Sequence, residues 1–353
     1  MSGALEAPEV AVLGGGSWGT ILAHLAAQNG RRTLLWMRDE AVAAAISTRR
    51  ENPRYLPGTR LAEGLAATTS LERAVRGARL VIFCVPSSAT RALAGEAGEF
   101  LTGDQVVLSA TKGLEPATFH TMTQVLRQET CARKLGALSG PNLAKEILAG
   151  QPSATVVASR YREVITTAAR LLHQPAFRIY GNQDLLGVEL AGALKNAVAI
   201  ASGVAQGLGF AMNVRALLIT RGLAEVQRLG VKLGAEALTF SGLAGIGDLI
   251  VTCGSELSRN FRVGVGLAAG RPLAAILADL GEVAEGVNTT RVALELSRRH
   301  GVALPIVEGV GALLQGAAPR EVMADLMSRA ARWEIDWDYT AEIKGGGPGA
   351  GVR

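Results

Sequence analysis

Lys195 stands in Gly187-Val-Glu-Leu-Ala-Gly-Ala-Leu-Lys195-Asn196-Ala-Val-Ala-Ile200, a run that reads as a helix. Its neighbours one turn away are Ala191, Gly192, Val198 and Ala199. A lysine on so small and apolar a face either snorkels outward or lies desolvated in a cleft. Desolvation lowers the pKa of an ammonium group and suits it to proton transfer near neutral pH. His24, His120, His173 and His300 have no comparable setting, which makes Lys195 the better acid–base candidate. Asp248, in Phe240-Ser-Gly-Leu-Ala-Gly-Ile-Gly-Asp248-Leu-Ile-Val-Thr252-Cys253, either orients Lys195 or caps the helix that follows it.

A second group of residues suits anions. Gly14-Gly-Gly16-Ser17-Trp18-Gly19 follows the strand-like Val10–Leu13 and opens an apolar helix that runs to Asn29. The GxGxxG spacing allows a tight turn, close approach to a pyrophosphate, and helix–strand packing, with the helix N-terminus facing the phosphates. This context favours dinucleotide binding over a purely structural turn. Past the next apolar run, Thr33–Trp36, come Arg38 and Asp39. An acidic residue there holds an adenosine ribose, whereas arginine accepts a 2′-phosphate. Arg38 comes first, which favours NADPH with NADH tolerated, unless Arg38 is an ordinary loop charge.

Ser258-Arg259-Asn260 precedes a helix beginning near Phe261 and forms a plausible phosphate seat. Lys112, in Ser109-Ala-Thr-Lys112-Gly113, follows a strand and points either to the cleft mouth or to solvent. Ser139-Gly140-Pro141-Asn142 offers backbone donors at a helix start or is a simple cap, and Glu282-Val283-Ala-Glu285-Gly286 lies at another helix entrance.

The elements that must position these groups alternate early in the chain. Val10–Leu13, Thr33–Trp36, Leu80–Val85, Gln105–Ser109, Ala137–Ser139 and Ala154–Ala158 read as strands, with Phe177–Tyr180 as a last one. Helix-like stretches between them predict an α/β fold, a Rossmann-like doubly wound parallel sheet over residues 1–186. From Leu185 onward only helices are expected: Gly187–Ser202, Val214–Leu229, Arg262–Ala269, Leu273–Leu280, Asn288–His300, Leu304–Leu314 and Pro319–Ala331. This gives an all-α second domain over 187–343 and a disordered glycine-rich tail over 344–353. Ligands of such sheets bind outside the C-terminal strand ends, so the cleft is expected between the two domains.

Composition narrows the class. The 353 residues are 48% hydrophobic and 19% charged, with a mean hydropathy of +0.24, which describes a soluble globular chain. The net charge of +5 comes from scattered Lys and Arg rather than a basic run, so no nucleic-acid partner is expected. Cys84, Cys131 and Cys253 have no metal-ligand spacing and read as reduced, buried thiols, so no metal is expected. The N-terminus carries no basic residue ahead of the first strand, and the charge-free stretch from Asn196 to Val214 suits a buried helix and turn better than a span. The expectation is a cytoplasmic protein that is not inserted in a membrane.

Together the blocks resemble the bacterial type of NAD(P)-dependent glycerol-3-phosphate dehydrogenase. They are Gly14 to Thr20, Ala110 to Glu115, Ser139 to Glu146, Gly187 to Ile200, Thr220 to Glu225, Gly245 to Cys253, Ser258 to Asn260 and Glu285-Gly286. The resemblance implies reversible reduction of dihydroxyacetone phosphate to sn-glycerol 3-phosphate, a phospholipid precursor, with NADPH or NADH, by a homodimer. It implies nucleotide contacts from Ser17, Trp18, Arg38, Lys112, Ala144, Val283 and Glu285. Lys195 is implied as proton donor and acceptor, with Lys112 and Asp248 beside it. Gly140, Asn142, Asp248, Ser258, Arg259 and Asn260 are implied around the substrate, with Arg259 also reaching the cofactor. Many relatives carry serine or threonine in place of Asn142. A related dehydrogenase of hydroxyacids or sugar acids would share the first domain and the helical lysine, but predicts no Ser-Arg-Asn phosphate seat. A non-catalytic NADP-binding regulator would not require Lys195, Asn196 and Asp248 together.

Overall fold

A computed structural model describes residues 7–328. The short apolar runs form one sheet of eight strands: β1 (Val10–Leu13), β2 (Thr33–Trp36), β3 (Leu65–Thr68), β4 (Leu80–Phe83), β5 (Val106–Ser109), β6 (Lys134–Ser139), β7 (Ser153–Ala158) and β8 (Phe177–Asn182). Their order is β3-β2-β1-β4-β5-β6-β7-β8. Val10-Ala-Val-Leu and Leu80-Val-Ile-Phe are buried throughout because helices cover both faces of the sheet. On one face Val10, Val12 and Ile82 pack with Leu22, Val164 and Leu171. On the other, Ala11, Leu13 and Phe83 pack with Leu93, Ala97 and Leu126.

Two features depart from the expected sheet. β3 has no strand signature, since Leu-Ala-Ala-Thr carries a β-branched residue only at its end; parallel pairing with β2 at the sheet edge holds it extended. β7 runs antiparallel to β6, with Ser139 opposite Val156 and Ala137 opposite Ala158. All other pairings are parallel.

The parallel register lines up the strand ends. Leu13 lies beside both Trp36 and Phe83, and Phe83 beside Ser109. The glycine loop, Arg38, Ser87 and Lys112 therefore leave the sheet at a common edge, and Gly140 joins them beyond β6.

Over that edge stands the helix Leu185–Gly207, begun by Asp184, which accepts from the Gly187 amide at 2.8 Å. The helices Met212–Lys232, Arg259–Ala268 and Glu285–His300 surround it. Two stretches of the described chain have the length and apolarity of a membrane span, 185–207 and 237–254, and 94% of the first one's most apolar window is buried in the core. The charge-free sequence around Asn196 is thus the centre of a helical assembly. The expected helices are present, several beginning earlier than their apolar periodicity suggested, such as Arg259–Ala268 and Glu285–His300. Of the three thiols only Cys253 is buried; Cys84 is partly covered, and Cys131 is exposed just before β6, which corrects the expectation of buried cysteines. The glycine-rich tail and the end of the last expected helix lie outside the described residues.

Candidate active site

Lys195 is buried at the middle of its helix, with a side chain only 6% exposed. Its Nζ donates to Asp248 Oδ1 at 2.7 Å and to the Thr252 hydroxyl, which in turn donates to the same carboxylate oxygen at 3.1 Å. The other oxygen, Oδ2, takes Lys112 Nζ at 2.7 Å, and Lys112 also donates to the Gly140 carbonyl at 2.8 Å. One carboxylate from the helical assembly therefore holds two ammonium groups, one of them carried on the β5 end of the sheet. An ammonium has three donors; each lysine commits two to these partners and keeps a third.

The electrostatics follow from burial. Removal from water pushes the Lys195 ammonium down to about 8; the adjacent Lys112 adds to this, and Asp248 opposes it. Burial alone would raise the Asp248 carboxyl, but Lys112 and Lys195 outweigh that cost and hold it below the usual carboxylate range. The cluster is a protonated or neutral lysine beside a fixed anion and a second cation, an arrangement that can hand a proton to, or take one from, an oxygen.

Asp248 opens the helix Asp248–Gly254 directly after a π-helical turn, Leu243–Gly247. Its carboxylate is spent on the lysines, which decides between the two sequence readings of this residue. Thr252 escaped the sequence reading as a site residue. The signal was its place four residues after Asp248, on the same helix face.

An amide relay links this cluster to the helix Arg259–Ala268. Asn196 donates to the Lys112 carbonyl at 3.1 Å and accepts from Asn260 at 2.8 Å, while Asn260 accepts from the Gly286 amide at 2.9 Å. Asn260 is therefore buried within the relay, with both ends of its amide engaged. Ser258 caps the helix, accepting from the Phe261 amide at 3.3 Å. Arg259 is exposed, and its guanidinium lies 3.1 Å from Glu282. Asn142 is turned to β7, donating to the Ala154 carbonyl at 3.1 Å and accepting from Thr155 at 2.9 Å. Its side chain thus braces the Gly140 loop, a role the sequence did not signal.

The nucleotide end is built around Gly14. A Cβ there would sit 2.3 Å from the Cys84 carbonyl, and its φ of +126° suits glycine. The helix Ser17–Gln28 starts with no side-chain cap, so its first amides are free to meet an anion. Trp18 buries an indole N–H that has no partner among the described residues, and its ring packs in one cluster with Ala144 and Phe177. This cradle fits a dinucleotide pyrophosphate. Arg38 is exposed beyond β2, while Asp39 is drawn into capping the helix Glu40–Arg49 at the Val42 amide. Glu285 accepts from the Ser87 amide at 2.8 Å and its hydroxyl at 2.6 Å, and burial pushes its carboxyl above the usual range. Val283 is exposed beside it.

Comparisons with known proteins agree along the chain. The family model for the NAD-dependent glycerol-3-phosphate dehydrogenase N-terminus matches residues 9–165, and that for its C-terminus matches residues 184–325. A glycerol-3-phosphate dehydrogenase [NAD(P)+] of Nitratidesulfovibrio vulgaris is 46% identical over 329 residues, 92% of this chain and 100% of that protein. One from Azotobacter vinelandii is 45% identical over 94% of this chain and 98% of its own length. The crystal structure of glycerol-3-phosphate dehydrogenase from Coxiella burnetii superposes with a TM-score of 0.87 at 33% identity, covering 92% of this chain and 99% of that one.

Proposed function

The chain belongs to the NAD-dependent glycerol-3-phosphate dehydrogenase family, and from that membership we propose that Lys195 is the proton donor and acceptor of its reaction. The reaction is the reversible reduction of dihydroxyacetone phosphate to sn-glycerol 3-phosphate with NADH or NADPH. The observation that carries the proposal is Lys195 itself: a buried ammonium, brought down to about 8, held 2.7 Å from Asp248.

The bound nicotinamide supplies the hydride. Lys195 protonates the carbonyl oxygen as it becomes an alkoxide, and takes the proton back in the oxidation direction. Lys112 contributes a second positive charge near that oxygen, and Asp248 fixes both ammonium groups in place. When bound, the nucleotide would be held by Gly14, Gly16, Ser17, Trp18 and Gly19, with Arg38, Ala144, Val283 and Glu285 as further contacts. Arg259, with Ser258, grips the substrate phosphate at a helix N-terminus. Asn260 acts through Asn196, positioning Lys112, and Asn142 keeps the Gly140 loop in shape. The sheet domain, 1–186, serves the cofactor, and the helical domain from 187 onward serves proton transfer and phosphate.

The product supplies phospholipid synthesis. The enzyme acts in the cytoplasm, uninserted in a membrane; free thiols at Cys84, Cys131 and Cys253 suit that reducing compartment. It acts as a homodimer, supported by the exposed Met212, Leu217, Ile250 and Leu257.

The phosphate assignment is tested by kcat/KM for dihydroxyacetone phosphate and for unphosphorylated dihydroxyacetone, in wild type and Arg259→Ala. The expected outcome is a loss of about 100-fold or more for the phosphorylated substrate and little change for the other. Equal losses would confine Arg259 to a structural or cofactor role.

A further inference from the structure

Glu282 lies where phosphates are expected to go. Gly281 ends the helix Leu273–Leu280 in the left-handed conformation, φ +63°, and the chain then crosses to Glu285. Glu285 is tied to Ser87, so this short crossing is held against the sheet edge. Within it Glu282 Oε1 accepts from the Ser17 hydroxyl at 3.2 Å, and Oε2 lies 3.1 Å from the Arg259 guanidinium. A single carboxylate thus bridges the glycine loop and the Ser-Arg-Asn helix.

We propose that Glu282 is an affinity-setting residue, a resident anion that competes with the cofactor and substrate phosphates for Ser17 and Arg259. This rests on the assignment of the Ser17 loop to the dinucleotide pyrophosphate and of Arg259 to the substrate phosphate. A hydroxyl has one proton and cannot donate it to a carboxylate and a phosphate together. Arg259 keeps other donors, but part of its charge is compensated while Glu282 stays beside it. A carboxylate left within a few ångströms of a bound phosphate also repels it, weakly because Arg259 is exposed and Ser17 and Glu282 are only partly buried. The rival role, alignment of Arg259 for phosphate, accounts for one oxygen of Glu282 but not for the contact to Ser17. It also predicts the opposite sign on removal of the charge. Competition of this kind would hold affinity down and keep ligand release fast, the step that limits turnover in many enzymes.

The test is NADH binding to the full chain by fluorescence titration, without substrate, in wild type, Glu282→Gln and Glu282→Ala. Both substitutions should lower Kd by about 5- to 10-fold at low ionic strength, and the gain should shrink at roughly 0.5 M salt. Inorganic phosphate, titrated by calorimetry, should tighten in the same direction. Should Glu282→Gln lose its cooperative melting transition, Glu282→Ala carries the comparison. An unchanged or raised Kd for both NADH and phosphate overturns the proposal, and leaves the cofactor site standing as long as wild type binds NADH. Absence of NADH binding by wild type would overturn the site assignment and the proposal with it.

Discussion

At the scale of single residues, chemistry is set by what each side chain has left to offer. Lys195 spends two donors on Asp248 and Thr252, and desolvation brings its ammonium to about 8. Its folded value lies below that of a free lysine, so the ammonium dominates below about pH 8 and the amine above. Reduction needs the ammonium, so its kcat/KM should be level below about pH 8 and fall above; oxidation needs the amine and should rise to a plateau there. Initial rates in both directions from pH 6 to 10 check this, and parallel profiles would remove Lys195 from the proton transfer. Arg38 is exposed while Asp39 is committed to a helix cap. Arg38→Ala should therefore raise KM for NADPH by about 10-fold or more and leave NADH nearly unaffected, as loss of a charge-assisted contact of about 1.5–3 kcal/mol. Equal shifts for the two cofactors would return Arg38 to an ordinary loop charge. Asn260 shows the limit of reading residue types: it is polar and stands next to Arg259, yet an amide relay engages both ends of its side chain. Only neighbours distant in sequence, Asn196 and Gly286, reveal this.

At the scale of elements, the site depends on how closely two helices approach. Lys195 and Arg259 belong to Leu185–Gly207 and Arg259–Ala268, which meet at Gly203 and Gly264. A Cβ on Gly264 would lie 2.0 Å from the Ile200 carbonyl and 2.7 Å from the Val204 amide, both backbone and unable to yield alone. Gly264→Ala should part the helices, cost about 2–3 kcal/mol in urea unfolding and raise KM for dihydroxyacetone phosphate. An unchanged unfolding midpoint would show that the contact does not set the spacing. The strands with continuous apolar runs were legible in the sequence, as were the helices with clear periodicity. β3 was not, because Leu-Ala-Ala-Thr owes its extension to β2 rather than to its own propensities. The π-helical turn before Asp248 was equally hidden, since the sequence there shows only a glycine-rich run around one carboxylate.

At the scale of the molecule, carboxylates of the helical assembly stitch it to the sheet layer. Glu189 accepts from the Thr123 amide at 2.8 Å at the start of Met122–Glu129, and Glu285 does the same for Ser87–Gly98. Each anion sits at the positive end of a helix dipole across the join. Such ties bring Lys112 from the sheet to the carboxylate that holds Lys195. The order of motifs along the chain made the partnership of a cofactor loop and a helical lysine legible. The shared carboxylate became visible only in three dimensions, because Lys112 and Asp248 lie far apart in sequence. The central claim is that Lys195 moves the proton while the sheet edge holds the cofactor. The most direct measurement compares Lys195→Ala with wild type in dihydroxyacetone phosphate turnover and in NADH binding. The account predicts a kcat lowered by about 100-fold or more with Kd for NADH nearly unchanged. A folded variant with near-normal kcat would contradict it.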